Sequence, residues 1–173
     1  MHPWTRPPEP SELSAKRDEL TRAFIAEKKA TGKTPRCNWP KVIGPDGNLE
    51  TLQQMLSRDT KQHCNYCDGL MGYSSRETID HFMPKSLPDF EHLVYVWNNL
   101  YLCCDGCQRK GTTYNENAVR PDEIGYLFER YFRFHLDGRI SVIAPDTTDR
   151  DRAEITIEVL KLKHPDLTTS SPY

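Results

Sequence analysis

Residues 98–111 read NNLYLCCDGCQRKG, and residues 63–69 upstream read HCNYCDG. Each stretch holds one Cys-x-x-Cys, Cys64 with Cys67 and Cys104 with Cys107. A two-residue gap lets one tight turn aim both thiolates at a single point, as tetrahedral zinc requires. Two such pairs give four ligands, which closes the shell and makes the zinc structural. The competing reading is a set of buried thiols or a redox pair. Cys103 adjoins Cys104 and could compete as a ligand, but only Cys104 has the two-residue gap to Cys107. Cys37 stands alone and reads as a core thiol.

About 36 residues separate the two pairs, more than a simple zinc ribbon needs, so the insert must house something. It contains ETIDHFMPKS at 77–86, where Asp80 and His81 are adjacent. On a regular strand the two side chains would face opposite ways, so a shared site implies a bend, and Pro84 fits one. A carboxylate holds a hard cation, and a neutral imidazole takes a proton from water near pH 7. Those parts suit phosphodiester hydrolysis. Alone, an Asp-His dipeptide reads as readily as a helix cap or a surface pair. Between two cysteine pairs the functional reading gains.

Composition sets the outer bounds. The chain has 173 residues, 36% hydrophobic and 28% charged, enough for one domain with a real core. No apolar run is long enough to span a membrane, and MHPWTRPPEPSELS has no signal-like core, so a cytoplasmic, reducing setting is expected. Six cysteines there point to metal rather than disulfides. A net charge of −2 weighs against a free-standing promiscuous nucleic-acid binder and leaves room for a partner that helps grip the substrate.

The organisation follows from punctuation. Residues 1–10 are proline-rich and extended. A helix is expected from Ser11, as its cap, to about Thr31, ended by Gly32. CNWPKVIGPDGN reads as loop, and Asn48 is expected to cap a second helix over 49–62 with Leu49, Leu52 and Leu56 on one face. ETIDHF reads as a strand, VYVWNNLYLCC as extended chain and turns, and Asp105 starts a short helix before Gly111. YFRFHLDGRISVI signals a hairpin turning at Asp137-Gly138, with Phe132, Phe134 and Leu136 alternating against Tyr131, Arg133 and His135. Ala153, Ile157 and Leu160 then mark a helix, and TTSSPY a loose tail. The expected class is α+β, divided as 1–62 (arm and helices), 63–118 (core) and 119–173 (hairpin and helix) within one domain.

Residues 64–111 resemble an HNH endonuclease of the zinc-bearing kind, whose pattern runs C-x-x-C, D-H-x-x-P, N-L and C-x-x-C-H-x-x-K. Here these are Cys64-Asn-Tyr-Cys67, Asp80-His81-Phe-Met-Pro84, Asn99-Leu100 and Cys104-Asp-Gly-Cys107-Gln108-Arg-Lys110. The resemblance implies a ββα-metal fold, His81 as general base, Asp80 as a ligand of the catalytic cation, and Asn99 as the residue that pins the loop and orients His81. Gln108 stands where the family has His or Asn. A glutamine carbonyl suits Mg²⁺ or Mn²⁺ better than zinc, and the departure leaves open a weakened site or a ligand such as Asp105. Lys110, Arg109 and Lys85 are the expected phosphate contacts; His63, His92, His135 and His164 are given no role.

The stretches RPPEP, HFMPKS, WNNLYLCC, FRFHLDGRI and RAEITIEVLKLKHPDL resemble one HNH branch, the small nuclease subunit of Septu-type and retron-associated anti-phage systems. That implies an ABC/SMC-like ATPase partner and a DNA or RNA substrate. The rival expectation is a zinc-stapled module, catalytically weak or inactive, that binds a partner protein or nucleic acid.

Overall fold

The computed structural model describes residues 3–71, 76–135 and 139–163. Helix α1 spans Ser11–Thr31 and buries Leu13 and Phe24. It ends as expected: Gly32 takes φ 67 and its N–H donates to Lys28 O, a backbone geometry that disfavours a β-carbon. Its start differs by one residue. Pro10 occupies the cap position and no side chain caps the first turn, since a proline there already fixes the entering chain.

The second helix is shorter than expected. Leu49–Thr51 forms strand β2, antiparallel to β1 (Lys41–Ile43), and α2 runs only over Leu52–Asp59. Pro45, Asp46 and Gly47 make the connecting turn, and Asn48 binds Asp46 Oδ2 at 2.7 Å instead of capping a helix. The true cap is Thr51, whose hydroxyl accepts from Gln54 N while Gln54 Oε1 accepts from Thr51 N. That reciprocal capping box fixes the start that leucine spacing alone misplaces.

Strand β3 (Glu77–His81) pairs antiparallel with β4 (Leu100–Cys104), from Glu77↔Cys104 to His81↔Leu100. All five residues of β4 are buried, so this pair is the spine of the molecule. A single helical turn, α3 (Asp105–Gln108), follows β4 directly. The order is ββα, with the connection 82–98 folded into two 3-10 turns, at Pro88–Leu93 and Trp97–Asn99.

The last third holds the short α4 (Phe128–Tyr131), the hairpin strands β5 (Phe132–Phe134) and β6 (Ile140–Val142), and α5 (Thr147–Val159). The strand alternation is only partly as expected. Phe132 is buried, yet Phe134 is 43% exposed and Tyr131 is buried as part of α4. Leu136, the Asp137-Gly138 turn, His164 and the tail lie outside the described residues. Ala153, Ile157 and Leu160 are all buried, as their spacing requires.

One continuous apolar cluster joins Leu13 and Phe24, Leu52 and Leu56, all of β4, and Ile157 and Leu160. The proline-rich arm is part of this packing. Arg6 donates from Nε to Asp122 Oδ2 at 2.7 Å and from NH1 to Trp97 O at 2.7 Å and Leu100 O at 2.9 Å. Its guanidinium lies 4.6 Å from the Trp4 ring centroid and 4.5 Å from that of Tyr101. Among the described residues, no helix is long and apolar enough to cross a membrane.

Candidate active site and four-cysteine centre

The two Cys-x-x-Cys turns converge. The Sγ atoms of Cys64, Cys67, Cys104 and Cys107 all lie within 4.8 Å of one another, and Cys67 Sγ is 3.7 Å from Cys104 Sγ. Tetrahedral zinc with Zn–S of about 2.3 Å puts its sulfurs about 3.8 Å apart, so the spacing fits. Backbone N–H groups already point at sulfur: Tyr66 N and Cys104 N lie 3.4 Å from Cys64 Sγ, and Gly69 N lies 3.4 Å from Cys67 Sγ. Such donors favour thiolate. Without a cation the thiols conflict. Hydrogen bonds from Cys107, Cys64 and Cys67 drive Cys104 well down, donation to Cys104 drives Cys107 up, and burial drives Cys64 up. A dication removes that conflict by accepting four thiolates. The group is therefore able to hold a structural zinc ion.

Cys103 is outside the group and meets Thr78 Oγ1 at 3.3 Å. His63 is also outside, with Nδ1 2.7 Å from Asp68 O.

The strand stays regular through Asp80 and His81, so the expected bend between them is absent. Pairing runs unbroken through Asp80↔Tyr101 and His81↔Leu100, and Phe82 N still donates to Asn99 O at 3.0 Å. The chain bends at Phe82 and Met83, just past both residues. The two side chains accordingly meet different partners, as strand alternation dictates.

Asp80 is 7% exposed and carries a crowded set of donors. Its Oδ2 accepts from Tyr66 OH at 2.9 Å and from Lys110 Nζ at 3.2 Å, and its Oδ1 lies 3.4 Å from Gln108 Nε2. Burial pushes its carboxyl up from the usual range, with the Lys110 charge and the Tyr66 hydroxyl opposing. Gln108 Oε1 accepts from Thr78 Oγ1. Lys110 is 2% exposed, and its amino group also donates to His81 O at 2.8 Å and Phe82 O at 3.4 Å.

A hard divalent cation takes several oxygen ligands, and an ammonium already paired with one of those oxygens competes for it. Asp80 and Gln108 supply one carboxylate that is already ion-paired and one carbonyl that is already bonded. As arranged, this donor set does not fit Mg²⁺ or Mn²⁺. Cys64, Cys67, Cys104 and Cys107 form the metal-competent group among the described residues.

His81 faces the long connection. Its Nε2 lies 2.8 Å from Val94 O, and Trp39 stacks on the ring with centroids 5.9 Å apart and planes 24° apart. A carbonyl only accepts, so Nε2 carries the proton and Nδ1 keeps the lone pair. Burial lowers the His81 pKa to about 3 against the support of the Val94 bond, and the Lys85 and Lys110 charges lower it further. The ring is neutral across the physiological range.

Asn99 holds this connection closed. It is fully buried; its Oδ1 accepts from Met83 N at 2.7 Å, and its Nδ2 donates to Met83 O at 3.0 Å and Leu93 O at 3.2 Å. One amide thus ties the first turn of the connection to the residue before Val94, whose carbonyl fixes the His81 tautomer.

The fold brings Asp80, Gln108 and Lys110 together, and His81 and Asn99 together, on separate partner sets. Lys85 donates to Pro35 O at 2.9 Å and lies 5.2 Å from the Phe24 ring centroid; Arg109, Asp105 and His92 are exposed. Two contributors were not marked by the sequence. Tyr66 sits inside the first Cys-x-x-Cys, where only the cysteines draw notice, and Trp39 lies in a stretch that reads as loop.

Fold and cysteines define a small α+β protein with a four-cysteine centre of the structural-zinc type. No family model matches the chain. It is 30% identical over 71 aligned residues to Septu protein PtuB of Bacillus mycoides (strain KBAB4). That match covers 35% of this chain and 24% of that protein, so it spans about a quarter of the relative's length.

Proposed function

We propose that the protein is an HNH-type endonuclease that hydrolyses phosphodiester bonds of DNA or RNA, acting as the effector of an anti-phage complex with an ATPase partner. The observation that carries this reading is the linkage Asn99–Leu93/Val94–His81, which leaves Nδ1 as the ring's only proton acceptor. The proton of an attacking water passes to His81 Nδ1, and the hydroxide attacks phosphorus while the 3′ oxygen departs. Lys85, whose charge reaches His81, and the exposed Arg109 are the proposed phosphate contacts. The likeness to a Septu protein supports the defence role.

A base works best with a pKa near the operating pH, and about 3 is far from it. Activity on this reading requires Trp39 to leave the ring, admit water and let a phosphate restore the imidazole's basicity. A trigger delivered by the partner fits that requirement.

The test is cleavage of plasmid DNA and of RNA, with and without Mg²⁺, Mn²⁺ and a candidate ATPase. His81→Ala is expected to abolish cleavage with fold and zinc content unchanged; full activity in that variant removes His81 as base. One observation favours the alternative of a zinc-stapled binding module. The Lys110 ammonium closes the Asp80 corner, as a purely structural ion pair would. Absence of cleavage under every condition, with retained binding to the partner or nucleic acid, would establish it.

A further inference from the structure

The corner where Asp80 meets Gln108 already contains a cation. Lys110 Nζ has three protons and three acceptors: His81 O at 2.8 Å, Asp80 Oδ2 at 3.2 Å and Phe82 O at 3.4 Å. Its side chain is 1% exposed, and it leaves the chain just beyond α3, whose last residue is Gln108. Gln108 meanwhile turns its amide nitrogen, not its carbonyl, toward Asp80. Thr78 takes the carbonyl. Each of these features suits a carboxylate facing an internal ammonium, and each opposes a carboxylate facing a metal ion.

We propose that Lys110 is the resident cation of this corner, a positioning residue that fills the place beside Asp80 where a divalent ion would otherwise bind. It acts through others. Two of its bonds fix the carbonyls at the end of β3, so the ammonium sets the backbone that carries His81. The third satisfies Asp80, so Asp80 is not offered to Mg²⁺ or Mn²⁺ until Lys110 is drawn out. This deepens the nuclease reading and rests on it for the purpose of the corner, because a module that cuts nothing has no use for a withheld metal position.

The experiment reads metal binding, not cleavage, so its failure and the failure of the nuclease reading are separate events. Mn²⁺ is titrated into the zinc-loaded full chain and followed by electron paramagnetic resonance. The proteins are the wild type, Asp80→Asn, Lys110→Met, and Lys110→Met with Asp80→Asn. Wild type and Asp80→Asn are expected to bind Mn²⁺ indistinguishably. Lys110→Met is expected to bind one Mn²⁺ at least tenfold more tightly than wild type, and the double variant to lose that gain. Wild-type Mn²⁺ binding that Asp80→Asn weakens overturns the proposal, as does a folded Lys110→Met that binds no better than wild type. Should Lys110→Met fail to fold, by circular dichroism and zinc content, the comparison of wild type with Asp80→Asn decides.

Discussion

Adjacent asparagines offer a sharp contrast between a buried amide and its exposed neighbour. Asn99 is fully buried and makes three side-chain hydrogen bonds, to Met83 N, Met83 O and Leu93 O. Asn98 is exposed, and its only described bond is through the backbone carbonyl, which accepts from Arg120. Each intramolecular hydrogen bond contributes about 1 kcal/mol net, so Asn99→Ala is expected to cost about 3 kcal/mol. A chain of this size loses about 2–4 °C in melting temperature per kcal/mol, giving a shift of about 6–12 °C. Asn98→Ala keeps the carbonyl and should stay within about 0.5 kcal/mol of wild type. The assay is thermal and urea unfolding at fixed zinc, since a bound ligand alters apparent stability. A second readout is the ¹⁵N spectrum of His81, where loosening of the Val94 carbonyl should release Nε2 and mix the two tautomers. Equal melting temperatures for the two variants would refute the role given to Asn99.

Three further outcomes follow from the geometry. Mass spectrometry should find one zinc per chain in wild type and in Cys103→Ser and none in Cys104→Ser; zinc retained by Cys104→Ser would count against the four-thiolate assignment. The folded His81 pKa of about 3 lies below the ordinary 6.5, so the unfolded chain binds a proton that the folded chain refuses. Stability from this group is complete above about pH 6.5 and is lost as pH falls toward 3, with a slope approaching about 1.4 kcal/mol per unit. Urea titrations from pH 7.5 to 5 should show a shallower acid loss for His81→Gln, and parallel curves would contradict the burial effect. Arg6→Ala should cost about 3 kcal/mol and expose the arm to limited proteolysis, with Arg6→Lys recovering only part because one ammonium nitrogen cannot occupy both the Nε position facing Asp122 and the NH1 position facing the two carbonyls; an arm as resistant as wild type would mean these contacts do not hold it.

What the sequence revealed depended on whether the signal was local. The cysteine pairs, the strand at ETIDH and the stop at Gly32 are set by residues close in the chain, and all three appear as expected. The second helix failed on a local conflict. Leu49, Leu52 and Leu56 have helical spacing, but Leu49 pairs across a hairpin with Ile43, and the Thr51–Gln54 box that marks the real start competes with the leucine pattern. Lys110 was expected to meet a phosphate; its burial against Asp80 and the His81 carbonyl was not legible, because Arg-Lys beside a glycine looks like accessible surface. Only the return of α3 against the end of β3 buries it. Nor was the separation of Asp80 from His81, which depends on β4 keeping β3 straight through both residues.

The anchoring of Arg6 by Asp122 carries a consequence for how the chain is made. Their positions differ by 116, so during synthesis the first residues emerge long before the carboxylate that receives them. Until then the aromatic rings of Trp97 and Tyr101 have no lid, and the half-made protein shows a sticky face. Docking of the arm is therefore a late event in the making of the fold.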